Sequence, residues 1–391
     1  MNDAPQAALL PTGLYDLLPP EAELEAEVTA RLMGVLRAHG YERVKPPLVE
    51  FEDTLLSGAG ASMANDTFRT MDPTSHRMVG VRADMTPQVA RIAATRLAHY
   101  ERPLRLSYAG QVLRVKGSEV RPERQFGQIG GELIGAGGPA ADVEAIAVAG
   151  EALATVGVPN LSVDITLPTL VPAIAEAFGI VGERAATLRA ALDHKDVTAV
   201  AAVPGNAGLL LSRLVSAGGA AERARTALAR LDLPARAREE RERLSAVLDG
   251  LAAAIPSLKV TVDPVENRGF EYHTGISFAF FARTSGERRP LGELGRGGRY
   301  NAGDPAAPEP ATGFTLYTDT ILSTLPAAPG RRRVLVPPGA DMACAARLRA
   351  EGWITVAALT AAEDWHGEAN RLGCGHVLED GAPVSVRARS R

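Results

Sequence analysis

Residues 105–135, RLSYAGQVLRVKGSEVRPERQFGQIGGELIG, decide the fold of this 391-residue chain, because they predict two strands joined by a charged loop. The second strand should run from Gln125 to Ile134. Side chains of a strand alternate between its two faces, so Ile129 and Leu133 can enter a core together. The opposite face carries polar or small residues, namely Gln128, Gly130 and Glu132. Glycines weaken a strand unless a ligand or another backbone comes close to it.

Basic residues follow the first strand of this hairpin. Arg114 closes the strand, and a guanidinium can hold a carboxylate or phosphate in a bidentate fork. Three more cations come within the next ten residues: Lys116, Arg121 and Arg124. The hairpin therefore predicts either the floor of a site for a small zwitterionic or phosphorylated ligand, or an amphipathic hairpin with one solvated face.

The bulk composition is that of an ordinary soluble protein. The charged fraction is 23%, the formal net charge is −4 and only 5% of the residues are aromatic, whereas nucleic-acid-binding domains are usually strongly basic. Two cysteines, Cys344 and Cys374, cannot form a disulfide framework or a four-ligand zinc site. No apolar run reaches the roughly 18 residues of a membrane span, and no signal peptide is visible. We expect a cytoplasmic protein with no membrane or nucleic-acid partner.

Local patterns divide the chain into three parts. Residues 21–39 predict a helix with one apolar stripe that ends at Gly40. Residues 168–257 are rich in Ala and Leu with helical periodicity and predict an all-helical insertion. Residues 332–380 alternate strand and helix as a small βαβαβ unit. We predict a main domain of residues 1–167 and 258–325, the insertion, and a C-terminal α/β domain with tail at residues 331–391.

The hairpin resembles motif 2 of the class II aminoacyl-tRNA synthetases, in its histidyl form. The shared features are an arginine closing the first strand, then R-Q-F at Arg124–Phe126, then Q-x-G-x-E at Gln128, Gly130 and Glu132. GLYDLLPPEA resembles the opening of histidyl-type synthetases, and GYERVKPPLVEFEDTL resembles motif 1, which builds a dimer interface in that family. The resemblance implies an α+β fold with a class II synthetase-like antiparallel sheet flanked by helices.

The segment GVRADMTPQVARIAATRLAHY resembles the family loop whose acid and threonine hold the α-amino group of histidine. Asp84 and Thr86 occupy those positions. From the residues alone, Thr86 sits where an N-cap belongs and Pro87 at the first helical position, so both polar residues could equally be caps. An acid at position 84 would be the counter-charge of an ammonium group.

Two later segments resemble the histidine-specific motifs. Residues 268–273, RGFEYH, resemble R-G-L-D-Y-Y, in which the arginine assists activation and the tyrosines line the imidazole pocket. The matching residues are Arg268, Tyr272 and His273, with histidine in place of the second tyrosine. Packing beneath a strand is the alternative role for Tyr272 and His273. GRGGRYN at 295–301 reads as a glycine-rich loop, resembles G-G-R-Y-D and adds Tyr300 to the pocket candidates.

Three positions depart from the synthetase pattern where ATP should bind. Motif 2 has Lys116 where the family has an acid and Gly117 where it has a second arginine. Motif 3, G-F-x-x-G-L-E-R-L, appears as GFTLYTDTI at 313–321, which places Thr320 where the phosphate-binding arginine belongs. Losing an electrostatic donor of this kind costs roughly 10²-fold or more in rate. We expect ATP chemistry to be lost, with no catalytic residues, metal or cofactor.

The residues expected to hold free histidine remain: Asp84, Thr86, Arg114, Gln128, Glu132, Arg268, Tyr272, His273 and Tyr300. A retained amino-acid pocket beside a lost ATP site, together with D-M-T-P-Q at Asp84–Gln88, resembles the regulatory subunits of ATP phosphoribosyltransferase, which are paralogues of the synthetase. The resemblance implies a non-catalytic subunit that assembles with a catalytic phosphoribosyltransferase in the first step of histidine biosynthesis. It also implies that histidine is the feedback effector and that two copies of this chain form a dimer through motif 1. Histidine could lie in the synthetase-like pocket or at a subunit interface. The alternatives are a divergent histidyl-tRNA synthetase and a histidine-binding module for another partner.

Overall fold

The computed structural model describes residues 9–117, 122–203, 205–266, 273–283, 292–303, 306–326 and 330–386. Its contacts divide the chain into two compact units, Met1–Leu325 and Pro326–Arg391. Among the helices of the described residues, none is long and apolar enough to cross a membrane.

The first unit opens with α1 (Glu21–Ala38), β1 (Glu42–Arg43), β2 (Val49–Phe51), α2 (Glu52–Leu55), a 3-10 helix (Gly58–Met63), β3 (Phe68–Met71), β4 (Met78–Val81) and α3 (Thr86–Thr95). The helix predicted before Gly40 is confirmed. It buries Val28, Leu32 and Leu36 on one stripe, and Gly40 follows it with φ of +80°. A positive φ is accessible to glycine without strain, so the chain can turn there into β1.

The central hairpin consists of β5 (Leu104–Leu113) and β6 (Gln125–Ile134), which pair antiparallel as predicted. Ile129 and Leu133 are buried as expected. The polar face is buried just as deeply, since Gln128 is 0% and Glu132 1% exposed. The solvated-face alternative is therefore wrong, because Gln128 and Glu132 of β6 lie inside the protein.

After the hairpin come α4 (Pro139–Thr155) and β7 (Ser162–Thr166), then the helical segment with α5 (Leu170–Ala177), α6 (Glu183–Asp193), α7 (Val197–Ala201), α8 (Asn206–Ser216), β8 (Gly219–Ala220), α9 (Ala221–Ala229) and α10 (Ala235–Ala254). The segment is helical apart from β8, a two-residue strand that pairs with β9 (Lys259–Asp263). Its apolar residues, such as Leu211 and Leu244, share one core with Ile146 of α4 and Val163 of β7. The domain boundary predicted at residue 168 stays a prediction.

The main sheet is completed by β10 (Ser277–Phe281), β11 (Glu293–Ala302) and β12 (Glu309–Tyr317), followed by α11 (Thr318–Thr324). Its strand order is β1-β5-β6-β12-β11-β10-β7-β9-β8, with parallel pairing only at β1-β5 and β7-β9 among the described residues. β2, β4 and β3 form a separate three-stranded sheet. The interpretation of GRGGRYN as a loop is wrong, because it forms the middle of β11.

The two faces of the main sheet are covered differently. Ile129, Phe278 and Phe314 pack with α1 and α4 on one face. Leu106, Tyr108 and Tyr300 pack with Val89 and Ala93 of α3 on the other. On this second face α3 lies against β5, β6 and β11.

The C-terminal unit contains β13 (Arg333–Val336), α12 (Met342–Ala350), β14 (Ile354–Ala357), α13 (Trp365–Arg371), β15 (His376–Glu379) and β16 (Ala382–Ser385). The predicted βαβαβ order is confirmed. β16 was not predicted, and it adds an antiparallel edge to a sheet of order β14-β13-β15-β16.

Candidate functional site

A polar cleft lies on the second face of the main sheet, beside the start of α3. About 360 Å³ of this region is free of protein atoms, and part of that space is open solvent. Five of the predicted site residues line it, namely Asp84, Thr86, Glu132, His273 and Tyr300. The cleft brings together residues from five separate segments of the chain.

Glu132 is buried and ringed by hydroxyl groups. Its Oε1 accepts hydrogen bonds from Thr86 Oγ1 at 3.0 Å and from Tyr108 OH at 3.2 Å. Its Oε2 accepts one from Tyr300 OH at 2.9 Å. Thr315 Oγ1 lies 2.7 Å from Tyr108 OH and forms a second layer. The hydrogen bonds that the structure describes for this carboxylate all come from neutral donors.

Burial raises the pKa of Glu132 from 4.5 to about 8, because a charged carboxylate loses its hydration there. The three hydroxyl bonds oppose the increase, and the nearby charge of Asp84 adds to it. Burial also raises the pKa of Tyr108 well above its usual value. A cationic or hydrogen-bond-donating ligand beside Glu132 would favour the charged carboxylate and lower its pKa.

Asp84 stands at the mouth of the cleft and is half-buried. Its Oδ1 accepts the Thr86 amide at 2.8 Å, and its Oδ2 accepts Gln128 Nε2 at 2.9 Å. Gln128 Oε1 in turn accepts the Met85 amide at 3.0 Å. Gln128 therefore fixes the loop that carries Asp84 and does not itself line the cleft.

Thr86 does not cap α3. The helix begins at Thr86, Met85 occupies the N-cap position, and no side-chain capping bond forms there. The Thr86 hydroxyl turns instead towards Tyr108 and Glu132. The capping alternative for Thr86 is wrong because its hydroxyl is used by the buried carboxylate, whereas Asp84 does accept a helix-start amide.

Glycines keep the floor of the cleft bare. Gly313 is opposite Glu132 in the β6–β12 register, and a Cβ atom there would lie only 1.7 Å from Glu132 Oε2. A Cβ at Gly298 would lie 2.4 Å from His273 Cδ2, and one at Gly130 would lie 2.3 Å from the Tyr108 OH. The glycine-rich sequence of β11 is thus explained by side chains that lie flat across the sheet.

The remaining predicted residues are placed as follows. His273 is 7% exposed and forms one wall of the cleft. Arg268 and Tyr272 lie outside the described residues. Arg114 does not line the cleft; its Nε donates to Ala83 O at 3.4 Å and its guanidinium carbon lies 5.2 Å from the Phe126 ring centroid.

Four residues that we did not predict contribute to the cleft. Tyr108 and Thr315 complete the hydroxyl network around Glu132. Arg296 and Tyr317 line the cleft, and Arg296 is held by a bidentate pair with Glu293 at 2.6 and 2.7 Å. Alternation along β12 could have identified Thr315 and Tyr317, since they share a face with Gly313.

A second buried carboxylate lies on the opposite face of the sheet. Asp142 Oδ1 accepts Arg299 Nη2 at 2.8 Å and Thr312 Oγ1 at 3.0 Å. Arg299 also donates to Gly138 O at 2.5 Å, next to the first turn of α4. Burial raises the pKa of Asp142, and the Arg299 cation opposes that change. This ion pair ties β11 to α4.

Two larger clefts flank α6, with about 1000 and 1270 Å³ of empty space. Their linings include many apolar residues, with Val181 and Leu188 in the first and Phe178 and Val203 in the second. Size alone would favour them as binding sites. The convergent acids, hydroxyls and perturbed pKa values are in the smaller sheet cleft, which is the better candidate.

Comparisons with known proteins agree with this geometry. The histidyl-tRNA synthetase family profile matches residues 13–321. The chain is 55% identical to the ATP phosphoribosyltransferase regulatory subunit of Paramagnetospirillum magneticum, over 99% of this chain and 100% of that protein. It is 55% identical to the protein of the same name from Rhodospirillum centenum, over 99% of this chain and 98% of that protein.

Among solved structures, the ATP phosphoribosyltransferase regulatory subunit/histidyl-tRNA synthetase of Bacillus halodurans superposes with a TM-score of 0.79. That match has 24% identity and covers 94% of this chain and 97% of the other, so it shows the fold. The predicted class II synthetase-like α+β fold is confirmed. The chain belongs to the family of ATP phosphoribosyltransferase regulatory subunits, which share the histidyl-tRNA synthetase fold.

Proposed function

We propose that this chain is a regulatory subunit without catalysis of its own, which binds free histidine in the sheet cleft and passes that signal to a catalytic ATP phosphoribosyltransferase subunit. The names of its relatives support the assembly with a catalytic partner. The observation that carries the ligand proposal is Glu132, a buried carboxylate with only hydroxyl donors among its described hydrogen bonds, next to the half-buried Asp84. In the assembled complex, histidine would act as the feedback effector of histidine biosynthesis.

The positions along the sheet indicate how histidine would lie. Tyr317 and Gln128 form one cross-strand pair, Thr315 and Gly130 the next, and Gly313 and Glu132 the one after. We call each such cross-strand pair a row. Asp84 contacts Gln128 in the first row, so the α-ammonium group of histidine would lie beside Asp84. The imidazole would reach the Glu132 row, where it meets His273 and Tyr300. Arg296, opposite Thr315, is a cation in the cleft lining that the carboxylate would share with Glu293.

The ATP half of a synthetase site has no counterpart in this proposal. Lys116 is exposed, and Thr320 lies on α11 where the synthetase family has an arginine. Adenylation depends on positive charge around the reacting phosphate, which Thr320 cannot supply, and Lys116 puts a cation where the synthetase pattern has an acid. These replacements support a subunit that holds an amino acid without activating it.

Feedback requires that histidine bind the inhibited complex more tightly than the active one. A coupling free energy of ~1–3 kcal/mol is typical, and it must be reciprocal between histidine and the ligands of the catalytic subunit. Titrations of the complex with histidine, with and without those ligands, measure the coupling from both sides.

The first test is Asp84→Ala, measured by isothermal titration with L-histidine. Loss of the counter-charge should weaken histidine binding by more than about tenfold, because removing one partner of a buried charge pair costs ~2–5 kcal/mol. Asp72→Ala is the matched control: it removes an acid from an exposed turn, where Asp72 accepts bonds from Thr74 and Ser75. The control should leave the dissociation constant unchanged.

The titration is made with the chain alone and with the assembled complex. An unchanged dissociation constant for Asp84→Ala in both would reject the cleft and favour a site at a subunit interface. Histidine-dependent pyrophosphate exchange would reject the regulatory proposal and favour a divergent synthetase.

A further inference from the structure

Tyr317 occupies a position where the synthetase pattern has glycine, the fifth residue of G-F-x-x-G-L-E-R-L. It is the last residue of β12, it lies opposite Gln128 of β6, and it is 4% exposed. Its side chain lines the cleft on the face that carries Glu132. A buried tyrosine takes up 150–250 Å² of contact surface, by rough estimate, where glycine leaves the sheet open.

Contacts beyond Tyr317 form an aromatic wall, defined here as Tyr317 and Phe126. The two rings meet edge to face, with centroids 5.8 Å apart and planes at 80°. The guanidinium of Arg114 lies over the Phe126 ring. Tyr317 lines the cleft, Phe126 contacts Tyr317, and Arg114 contacts Phe126. Arg114 therefore lies behind the aromatic wall and is not part of the cleft lining.

The aromatic wall stands at the end of the cleft where the head group of an amino acid would be. Asp84 is held by Gln128, the residue opposite Tyr317, and Arg296 lies opposite Thr315, one row further along. The other end, at Glu132, is closed by Tyr300 and Tyr108. A ligand can therefore fill the cleft between these ends, and a substituent that enlarges its head group would meet Tyr317.

We infer that Tyr317 restricts the cleft to the free amino acid and excludes derivatives enlarged at the carboxyl group, above all an aminoacyl adenylate. This inference rests on the proposed function and adds the ligand class that the site rejects. Tyr317 thus selects ligands by size. Its effect is independent of the acid that Lys116 replaces and of the arginine that Thr320 replaces. Restoring those charges alone would not restore adenylate binding.

A ligand series tests the inference on the unaltered chain, assembled with its catalytic partner. L-histidine, L-histidine methyl ester, L-histidine benzyl ester and a non-hydrolysable histidyl-adenylate analogue are compared by isothermal titration. Affinity should fall as the carboxyl substituent grows, and the adenylate analogue should bind more weakly than histidine by more than about tenfold, since overfilling a packed site is costly. L-histidinol, which is no larger than histidine, separates loss of the carboxylate charge from the effect of size.

Tyr317→Ala and Tyr317→Phe complete the test. The alanine variant should gain about tenfold or more in affinity for the adenylate analogue, whereas the phenylalanine variant keeps the ring and should behave as the unaltered chain. Equal binding of histidine and the analogue by the unaltered chain would overturn this inference while leaving the proposed function intact. Absence of histidine binding would reject both. If the alanine variant does not fold, the ligand series alone decides.

Discussion

Two buried carboxylates on opposite faces of one sheet have different partners. Asp142 is paired with Arg299 at 2.8 Å, and both side chains are almost fully buried, with 1% and 7% exposed. Glu132 is as deeply buried, but its described hydrogen bonds come from Thr86, Tyr108 and Tyr300. The two sites are served by consecutive residues of β12, since Thr312 contacts Asp142 and Gly313 is opposite Glu132.

The difference separates a structural acid from a binding acid. A buried charge is tolerated when an opposite charge and hydrogen bonds compensate it, and otherwise the group holds a proton. Asp142 has its cation within the fold, and that cation joins β11 to α4. Glu132 has its pKa raised to about 8 and so can exchange its proton for a ligand group that donates or carries positive charge. Of these two acids, Glu132 is therefore the one suited to bind a ligand.

The largest effect should follow removal of the cation from the structural site. Arg299→Met leaves Asp142 buried without its paired cation, and breaking a buried pair in this way costs about 3–5 kcal/mol of unfolding free energy. In urea denaturation, this loss of unfolding free energy appears as a lower midpoint concentration with an unchanged m-value.

Arg105→Met is the control for Arg299→Met. Arg105 forms a bidentate pair with Glu144, but the side chains are 35% and 27% exposed, so its loss should cost under about 1 kcal/mol. Equal losses for the two variants would mean that burial does not distinguish these ion pairs.

The double variant Arg299→Met/Asp142→Leu should recover most of the stability lost in Arg299→Met, because an apolar replacement of both partners leaves no buried charge. A double variant as unstable as the single one would show that Arg299 acts mainly through its bond to Gly138 O.

The second effect is the part of the pH dependence of stability that Glu132 contributes. The folded protein raises the pKa of this acid from 4.5 to about 8, so it binds the proton more tightly than the unfolded chain does. The stability contribution of protonated Glu132 is therefore complete below pH 4.5 and is lost as the pH rises towards 8. The slope is at most about 1.4 kcal/mol per pH unit. Glu132→Gln should remove this slope.

Urea denaturation of the unaltered chain and of Glu132→Gln, from about pH 5 to about pH 8, tests the pH dependence. Asp142 also has a raised pKa, but it is present in both chains and cancels in the difference. Parallel curves would place the titration at another group and weaken the contrast between the two acids.

Local pattern was enough to predict much of this architecture. Both strands of the hairpin, α1 and the βαβαβ order of the C-terminal unit follow from alternation, helical periodicity and glycine stops. The alternation along β6 also put Gln128 and Glu132 on one face. What local pattern could not give is the strand order of the sheet, because β6 pairs with β12 across almost two hundred residues.

That missing order explains the wrong interpretation of β11 and why the role of Arg299 was not identified. The glycines of β11 are required by neighbours such as His273 and Phe278, which come into contact only when the sheet is assembled. Arg299 is next to Tyr300 in sequence but points to the opposite face, where it meets Asp142. Likewise, the motif positions identified Glu132 but not the Tyr108 and Thr315 hydroxyls behind it, since a strand tyrosine is typical of a core.

The smallest effect compares two threonines on opposite faces of β12. Thr315→Val removes the hydroxyl 2.7 Å from Tyr108 OH, and Thr312→Val removes the hydroxyl that donates to Asp142 at 3.0 Å. Each variant should lose about 0.5–1.5 kcal/mol of unfolding free energy, as expected for one buried hydrogen bond. Histidine affinity should nevertheless fall, by less than about tenfold, only in Thr315→Val, because Tyr108 then orients the Glu132 carboxylate less firmly. Equal losses of affinity in both variants would mean that the two faces are coupled through the strand, and the division into a structural acid and a binding acid would then fail.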